Sequence, residues 1–341
     1  MDSALSLSPS IPDTETDRAP DVVALLPEER DELLRLAEEI TVSPRQSPEL
    51  FCRQAHRGAR RLPDRLTDLL ADFASKGTNS GTMLFDGLPV EAAPPTPPDN
   101  RNHLGESTPL ARAQAIINHA CGQMVAYEAE GFGCLYQDMV PNRAMATTQT
   151  SMGSRVELEL HTEQAFSSLR PDVLSLACLR GNPEAKTYVL PAHTLIEHLT
   201  VFERELLRQK LWMTEVDPSF RLAGHEFLDG IKRGPLPIVA GAEDDPTVCF
   251  DQDLMRGTTE QAQDMVQRVT EIYQAHRHAH TLTPGQILLV DNVRAVHGRS
   301  PFSPAFDVHD RFIIRSFAVR DLVRSRYARP ANGRMIAAQY S

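Results

Sequence analysis

The chain has 341 residues, of which 41 % are hydrophobic and 24 % charged, so it can bury a sizeable core. Its net charge of −11 argues against a nucleic-acid partner or an acidic membrane surface, both of which need a basic face, and is compatible with a small cationic substrate. The five cysteines (Cys52, Cys121, Cys134, Cys178 and Cys249) form no CxxC pair and read as reduced thiols of a cytoplasmic protein, with Cys178 and Cys249 in buried strands.

Residues 1–20 are polar and proline-containing and have no apolar stretch, so a disordered tail is expected there and not a signal peptide. Residues 21–341 are expected to form one domain, with a helical extension over 21–130 and a β-rich body over 131–341. A first helix is predicted over 27–40. Pro27, Glu28 and Glu29 suit its first turn, and Leu33, Leu36, Ala37 and Ile40 line one face. A second, over 63–76, stops at Gly77. Residues 81–87 read as a strand. Pro94, Pro95, Pro97 and Pro98 make a stiff connector, and a third helix is predicted over 110–123.

Beyond Gly131, short runs rich in Val, Leu, Tyr and Phe alternate with turns, at 156–161, 173–180, 187–190, 248–251, 287–291 and 312–319. Helices interrupt them near 194–210 and 260–277. The predicted fold class is mainly β with flanking helices, a sandwich or jelly-roll barrel. The polar, glycine-containing stretch 210–246 is read as a binding loop, with a lid near 217–230. His276, His278 and His280 read as a solvated helix end, and Glu243, Asp244 and Asp245 as a solvated turn.

The alternating run from Val156 leads to His161-Thr162-Glu163. Residues i and i+2 of a strand share a face, so His161 and Glu163 can offer an imidazole nitrogen and a carboxylate oxygen to one ion. His297, in His-Gly-Arg-Ser, supplies a second imidazole if the fold brings it close. Two histidines and one carboxylate leave coordination positions open, an arrangement suited to iron(II) oxygenases, which bind a co-substrate and O2 together. Arg311 and Arg315 lie in the apolar run Arg311-Phe-Ile-Ile-Arg-Ser-Phe-Ala-Val319. Buried guanidinium groups are costly unless paired, so two here suggest two bound carboxylates.

Glu159-Leu-His-Thr-Glu-Gln-Ala-Phe, Arg170-Pro-Asp-Val-Leu-Ser-Leu-Ala-Cys-Leu-Arg-Gly181 and Asp291-Asn-Val-Arg-Ala-Val-His-Gly-Arg-Ser-Pro-Phe302 closely resemble the clavaminate synthase-like oxygenases. Within that group the chain is most similar to the free amino-acid hydroxylases acting on lysine, arginine and asparagine. The resemblance runs from about Gly81 onward and implies a double-stranded β-helix (jelly roll) with iron(II) on His161, Glu163 and His297. It also implies 2-oxoglutarate and O2 as co-substrates, Arg311 on the distal carboxylate of 2-oxoglutarate with help from Thr187, and Arg315 on the α-carboxylate of the amino acid.

For the rest of the substrate, the arginine-hydroxylase pattern points to Gln137, Ser151, Asp251 and Asp253. An extended Asp251-Gln-Asp253 would place both carboxylates on one side, around a lysine ammonium or an arginine guanidinium. The expectation is therefore hydroxylation of a free basic L-amino acid, lysine at C3 first, with arginine, ornithine, citrulline or C4 as alternatives. The presence of Glu163 argues against a halogenase, while a desaturase shares the same site. A non-catalytic jelly-roll metal or sugar binder would have no use for the two arginines. A homo-oligomer is compatible with the composition.

Overall fold

The computed structural model describes residues 20–91, 93–221 and 223–341. Apart from Pro20, the expected tail lies outside them, as does Leu222 within the expected lid.

Three amphipathic helices come first, α1 (Pro27–Glu38), α2 (Pro48–Ala59) and α3 (Asp64–Lys76), followed by α4 (Pro109–Cys121). The sequence reading had no counterpart of α2. Its apolar face is only Phe51, Cys52, Ala55 and Ala59, set among Arg, Gln and His, with Pro48 in the first turn. Helix α4 ends at Cys121, and the residues assigned to its last turn open a strand instead.

The region 21–130 is not purely helical. It gives β1 (Asp21–Ala24), β2 (Thr82–Asp86) and β3 (Gln123–Tyr127) to the main sheet. The body adds β4 (Tyr136–Met139), β5 (Leu158–His161), β6 (Val173–Arg180) and β7 (Lys186–Pro191). The predicted helix at 194–210 is two helices, α5 (Ala192–Glu197) and α6 (Val201–Leu207), because Thr200 starts a new one with a capping box to Glu203.

The stretch 210–246 is more structured than expected. It holds β8 (Trp212–Glu215), the single turn α7 (Pro218–Arg221), β9 (Lys232–Leu236) and β10 (Val239–Gly241). Then follow β11 (Pro246–Val248), β12 (Arg256–Gly257), α8 (Glu260–His276), β13 (His278–Thr281), β14 (Ile287–Asp291), β15 (Ala295–Arg299), β16 (Phe312–Val319) and β17 (Met335–Ile336).

The main sheet runs β1-β2-β14-β6-β16-β3-β17, with β4 also paired to β16; the smaller one runs β13-β7-β15-β5. Strand parity sorts the layers. Leu174, Leu176 and Cys178 of β6 and Ile313, Phe317 and Val319 of β16 pack with Val189 and Ala295 of the smaller sheet. The alternate residues Val173, Ala177, Leu179, Phe312, Ile314 and Ala318 pack under α1–α4. Behind the smaller sheet, Leu160, Leu190 and Val296 join a third core with Leu195, Leu207 and Val269 from α5, α6 and α8. The molecule is thus a pair of facing sheets with a helical cover on each outer side. All five cysteines are free, and Cys178 and Cys249 are buried. Among the described residues, no helix is long and apolar enough to cross a membrane.

Candidate active site

Strand β15, which the sequence reading did not separate from the loop after β14, is what brings His297 to His161 and Glu163. His297 pairs directly with His161 across β15 and β5, with ring centroids 4.3 Å apart. Glu163 lies two residues beyond the end of β5, with Oε2 3.8 Å from His297 Nε2. One donor atom from each residue lies within 4.8 Å of the other two. Close approach of β15 to its neighbours requires Gly298, because a Cβ there would sit 2.5 Å from Tyr273 Oη and 2.7 Å from the Leu158 carbonyl.

Each donor is prepared for a metal. His161 Nδ1 lies 2.7 Å from the Glu159 carbonyl, so it donates there and leaves Nε2 free. Burial, then repulsion from His161 and Arg315, holds the His297 pKa well below the usual imidazole value, so the ring is neutral as a ligand must be. Glu163 is fixed through its backbone. Asn292 Oδ1 accepts from Glu163 N at 2.7 Å, and Asn292 Nδ2 donates to the carbonyls of Glu163 (3.1 Å) and Pro171 (2.8 Å). Thr162, between two of the ligands, donates its N–H to the Phe250 carbonyl at 2.7 Å and accepts from Phe250 N at 3.1 Å. The donor set of two imidazoles and one carboxylate fits iron(II) with positions left for other ligands.

The parity that buries Ile313 and Phe317 also turns Arg311 and Arg315 toward the same pocket. Arg315 is buried and satisfied: Nε donates to Gln137 Oε1 at 3.1 Å, Nη1 to Glu163 Oε1 at 3.3 Å, and Nη2 to Glu130. Gln137 pairs with Arg315 in the β4–β16 register. Arg311, equally buried, makes no hydrogen bond or ion pair to another described residue; its guanidinium lies over the Phe302 ring, 5.7 Å from the centroid. Burial pushes its pKa down to about 10, which leaves it cationic at neutral pH. Thr187 is buried on β7 opposite Arg299 and lines the same pocket. Ser151 lines it too, held by Arg299 Nη1 donating to its carbonyl at 3.0 Å.

The pocket has a volume of about 520 Å³. Asp251 and Asp253 both line it, but not as a fully extended pair. Asp251 makes a single antiparallel bridge to His161, and the chain then turns, with Leu254 N donating to Asp251 Oδ1 at 2.8 Å. Burial raises the Asp251 carboxyl to about 6, partly offset by His161. Sequence reasoning missed two acids. Glu130, ahead of a glycine turn, meets Arg315, and burial raises its carboxyl. Asp217, at the start of the expected lid, faces the pocket with Ser219, Phe220, Ala223 and His225. Asn292 was inside a quoted motif, but nothing in the sequence singled it out.

The facing sheets and this site define an iron-dependent oxygenase architecture, and the chain belongs to the clavaminate synthase-like iron(II)/2-oxoglutarate-dependent oxygenases. It is 50 % identical over 321 residues to the L-lysine 3-hydroxylase of Catenulispora acidiphila, covering 94 % of this chain and 90 % of that one. It is 33 % identical to the L-asparagine oxygenase of Streptomyces coelicolor, over 79 % of this chain and 80 % of the other. Residues 240–316 match the family "Taurine catabolism dioxygenase TauD, TfdA family". Among solved structures, asparagine oxygenase in complex with Fe(II), 2S,3S-3-hydroxyasparagine and succinate superposes with a TM-score of 0.85 at 29 % identity, over 93 % of this chain and 99 % of that one.

Proposed function

We propose that the protein hydroxylates free L-lysine at C3, converting 2-oxoglutarate and O2 to succinate and CO2. The observation that carries this reading is the set of charges lining one pocket: buried Arg311 and Arg315 from β16, the cluster of His161, Glu163 and His297, and the acids Asp217, Asp251 and Asp253. The high identity to a lysine 3-hydroxylase selects lysine among the basic amino acids. We read the facing sheets as a double-stranded β-helix and 217–230 as its lid.

His161, Glu163 and His297 would hold iron(II), which with the co-substrates supplies the oxidising power for C–H hydroxylation. Arg311, lacking a protein partner, takes the distal carboxylate of 2-oxoglutarate, with Thr187 beside it. Arg315, steadied by Gln137, takes the amino acid's α-carboxylate. Ser151, Asp251 and Asp253 hold the rest of the substrate, the two acids around its cation. Closure of the lid excludes water from the reacting carbon.

Arginine and ornithine are a second reading, favoured by the acid cluster and by 27 % identity to an L-ornithine/L-arginine 3-hydroxylase of Catenulispora acidiphila. The experiment is succinate formation across the free amino acids, followed by NMR of the product. Lysine-dependent succinate and 3-hydroxylysine are expected. They should be lost in His161→Ala, Glu163→Ala and His297→Ala, with circular dichroism unchanged. A preference for a neutral amino acid overturns the substrate assignment, and turnover by any of the three variants overturns that ligand.

A further inference from the structure

Strand β5 carries an acid that the reading above leaves unused. Leu160 packs into the outer core, so Glu159 and His161, on either side of it, share the inner face and line the pocket. Their Cα atoms are about 7 Å apart along the strand. The segment after β11 runs antiparallel to β5, with His161 bridged to Asp251 and Gln252 N donating to the Leu160 carbonyl at 2.9 Å. The chain turns at 252–254, and Asp253, which lines the same pocket as Glu159, is the charged group that acts on it most. Like charges brought close together in one pocket disfavour each other. Arg256 offsets this repulsion in part, without forming an ion pair. The Glu159 carboxylate makes no hydrogen bond or ion pair with a described residue, and the nearby Arg256 donates Nη1 to the Met255 carbonyl at 2.7 Å. Its neighbour Glu157 is neutralised, by Arg277.

We infer that Glu159 and Asp253 together form the terminal seat for the substrate's side-chain cation, with Glu159 as a specificity-determining residue of the lysine site. This rests on the proposed basic-amino-acid reading. Arg315 contacts Glu163 at one end of the His161–Glu163 segment, while Glu159 lies at the other. The substrate therefore lies along β5, its carboxylate near Glu163 and its cation near Glu159, with the metal ligands between. Asp251 flanks the cation on the side of His161, and Glu159 with Asp253 stops the substrate's end.

The test uses wild type, Glu159→Gln and Glu159→Asp, with lysine and its neutral isostere norleucine, at low and high salt. Glu159→Gln should raise KM for lysine about two- to fivefold, the effect of one partly exposed ion pair. It should leave KM for 2-oxoglutarate unchanged, lower the preference for lysine over norleucine, and flatten the salt dependence of the lysine KM. Glu159→Asp, which keeps the charge, should restore most of the preference. A purely structural role would leave the salt dependence and the lysine-to-norleucine ratio as in wild type, and that result overturns the inference. If wild type itself fails to prefer basic amino acids, the fault lies in the functional reading, because that comparison needs no variant.

Discussion

Replacing Asn292 with alanine tests whether the metal ligands are held by a buried amide remote from the chemistry. Asn292 is fully buried and makes three side-chain hydrogen bonds: it accepts from Glu163 N and donates to the carbonyls of Glu163 and Pro171. Alanine leaves all three backbone groups without that partner in a place water does not reach. At about 1 kcal/mol for each such loss, the folded state should be destabilised by about 3 kcal/mol. The backbone bond from Asn292 N to the Asp172 carbonyl (3.0 Å) remains, so the strand ends stay joined and the change should be local. Glu163 then loses its fixed backbone, and metal affinity should fall by about 10- to 100-fold. Urea denaturation measures the first effect as a lowered midpoint at unchanged slope; anaerobic iron(II) titration measures the second. A stability change below about 0.5 kcal/mol, against the cost expected for buried unpaired groups, would refute the energetic argument. A large stability loss with unchanged metal affinity would refute the link to Glu163.

Arg311→Ala should raise KM for 2-oxoglutarate and Arg315→Ala KM for lysine, each through the loss of a buried charge-assisted pair worth about 2–5 kcal/mol; steady-state kinetics showing the reverse pattern would exchange the two roles. Asp251, raised to about 6 by burial, takes up a proton as pH falls through that value and stops attracting a cation, whereas the lysine ammonium keeps its charge. The lysine KM should therefore climb below about pH 6, and Asp251→Asn should raise it at neutral pH and remove that climb; a KM flat in pH for wild type contradicts the assignment. Around 217–230, hydrogen exchange under anaerobic conditions should slow when iron(II), 2-oxoglutarate and lysine are all present, and unchanged exchange counts against a lid.

The parts of the site on regular strands were legible in the sequence. Strand β16 spells its parity in Ile313, Phe317 and Val319, and that places Arg311 and Arg315 on one side. The spacing of His161 and Glu163 pointed to one shared ion, although Glu163 lies past the end of β5 and reaches the cluster from a turn. Strand β15 was harder to see, because Ala-Val-His-Gly-Arg puts its polar residues into the pocket and has a glycine where tight packing requires one. Loop residues left the weakest trace. Glu130 and Asp217 look like any surface acid until the fold turns them toward a cation or a cavity. The break between α5 and α6 depended on one capping threonine inside an otherwise continuous helical pattern.

Strand β16 also acts as a caliper. Its back is clamped by α4: Gln114 Nε2 donates to the carbonyls of Ser175 (3.1 Å) and Ile314 (3.2 Å), and Asn118 Nδ2 to Ser316 Oγ at 2.8 Å. The strand therefore has little freedom to slide or bend. Arg311 and Arg315, four residues apart on an extended backbone, have Cα atoms separated by about 13 Å. On the proposed reading, two carboxylate-bearing molecules would be held by different arginines of one rigid strand, one by Arg311, which has no partner among the described residues, and the other by Arg315 in competition with Glu130 and Glu163.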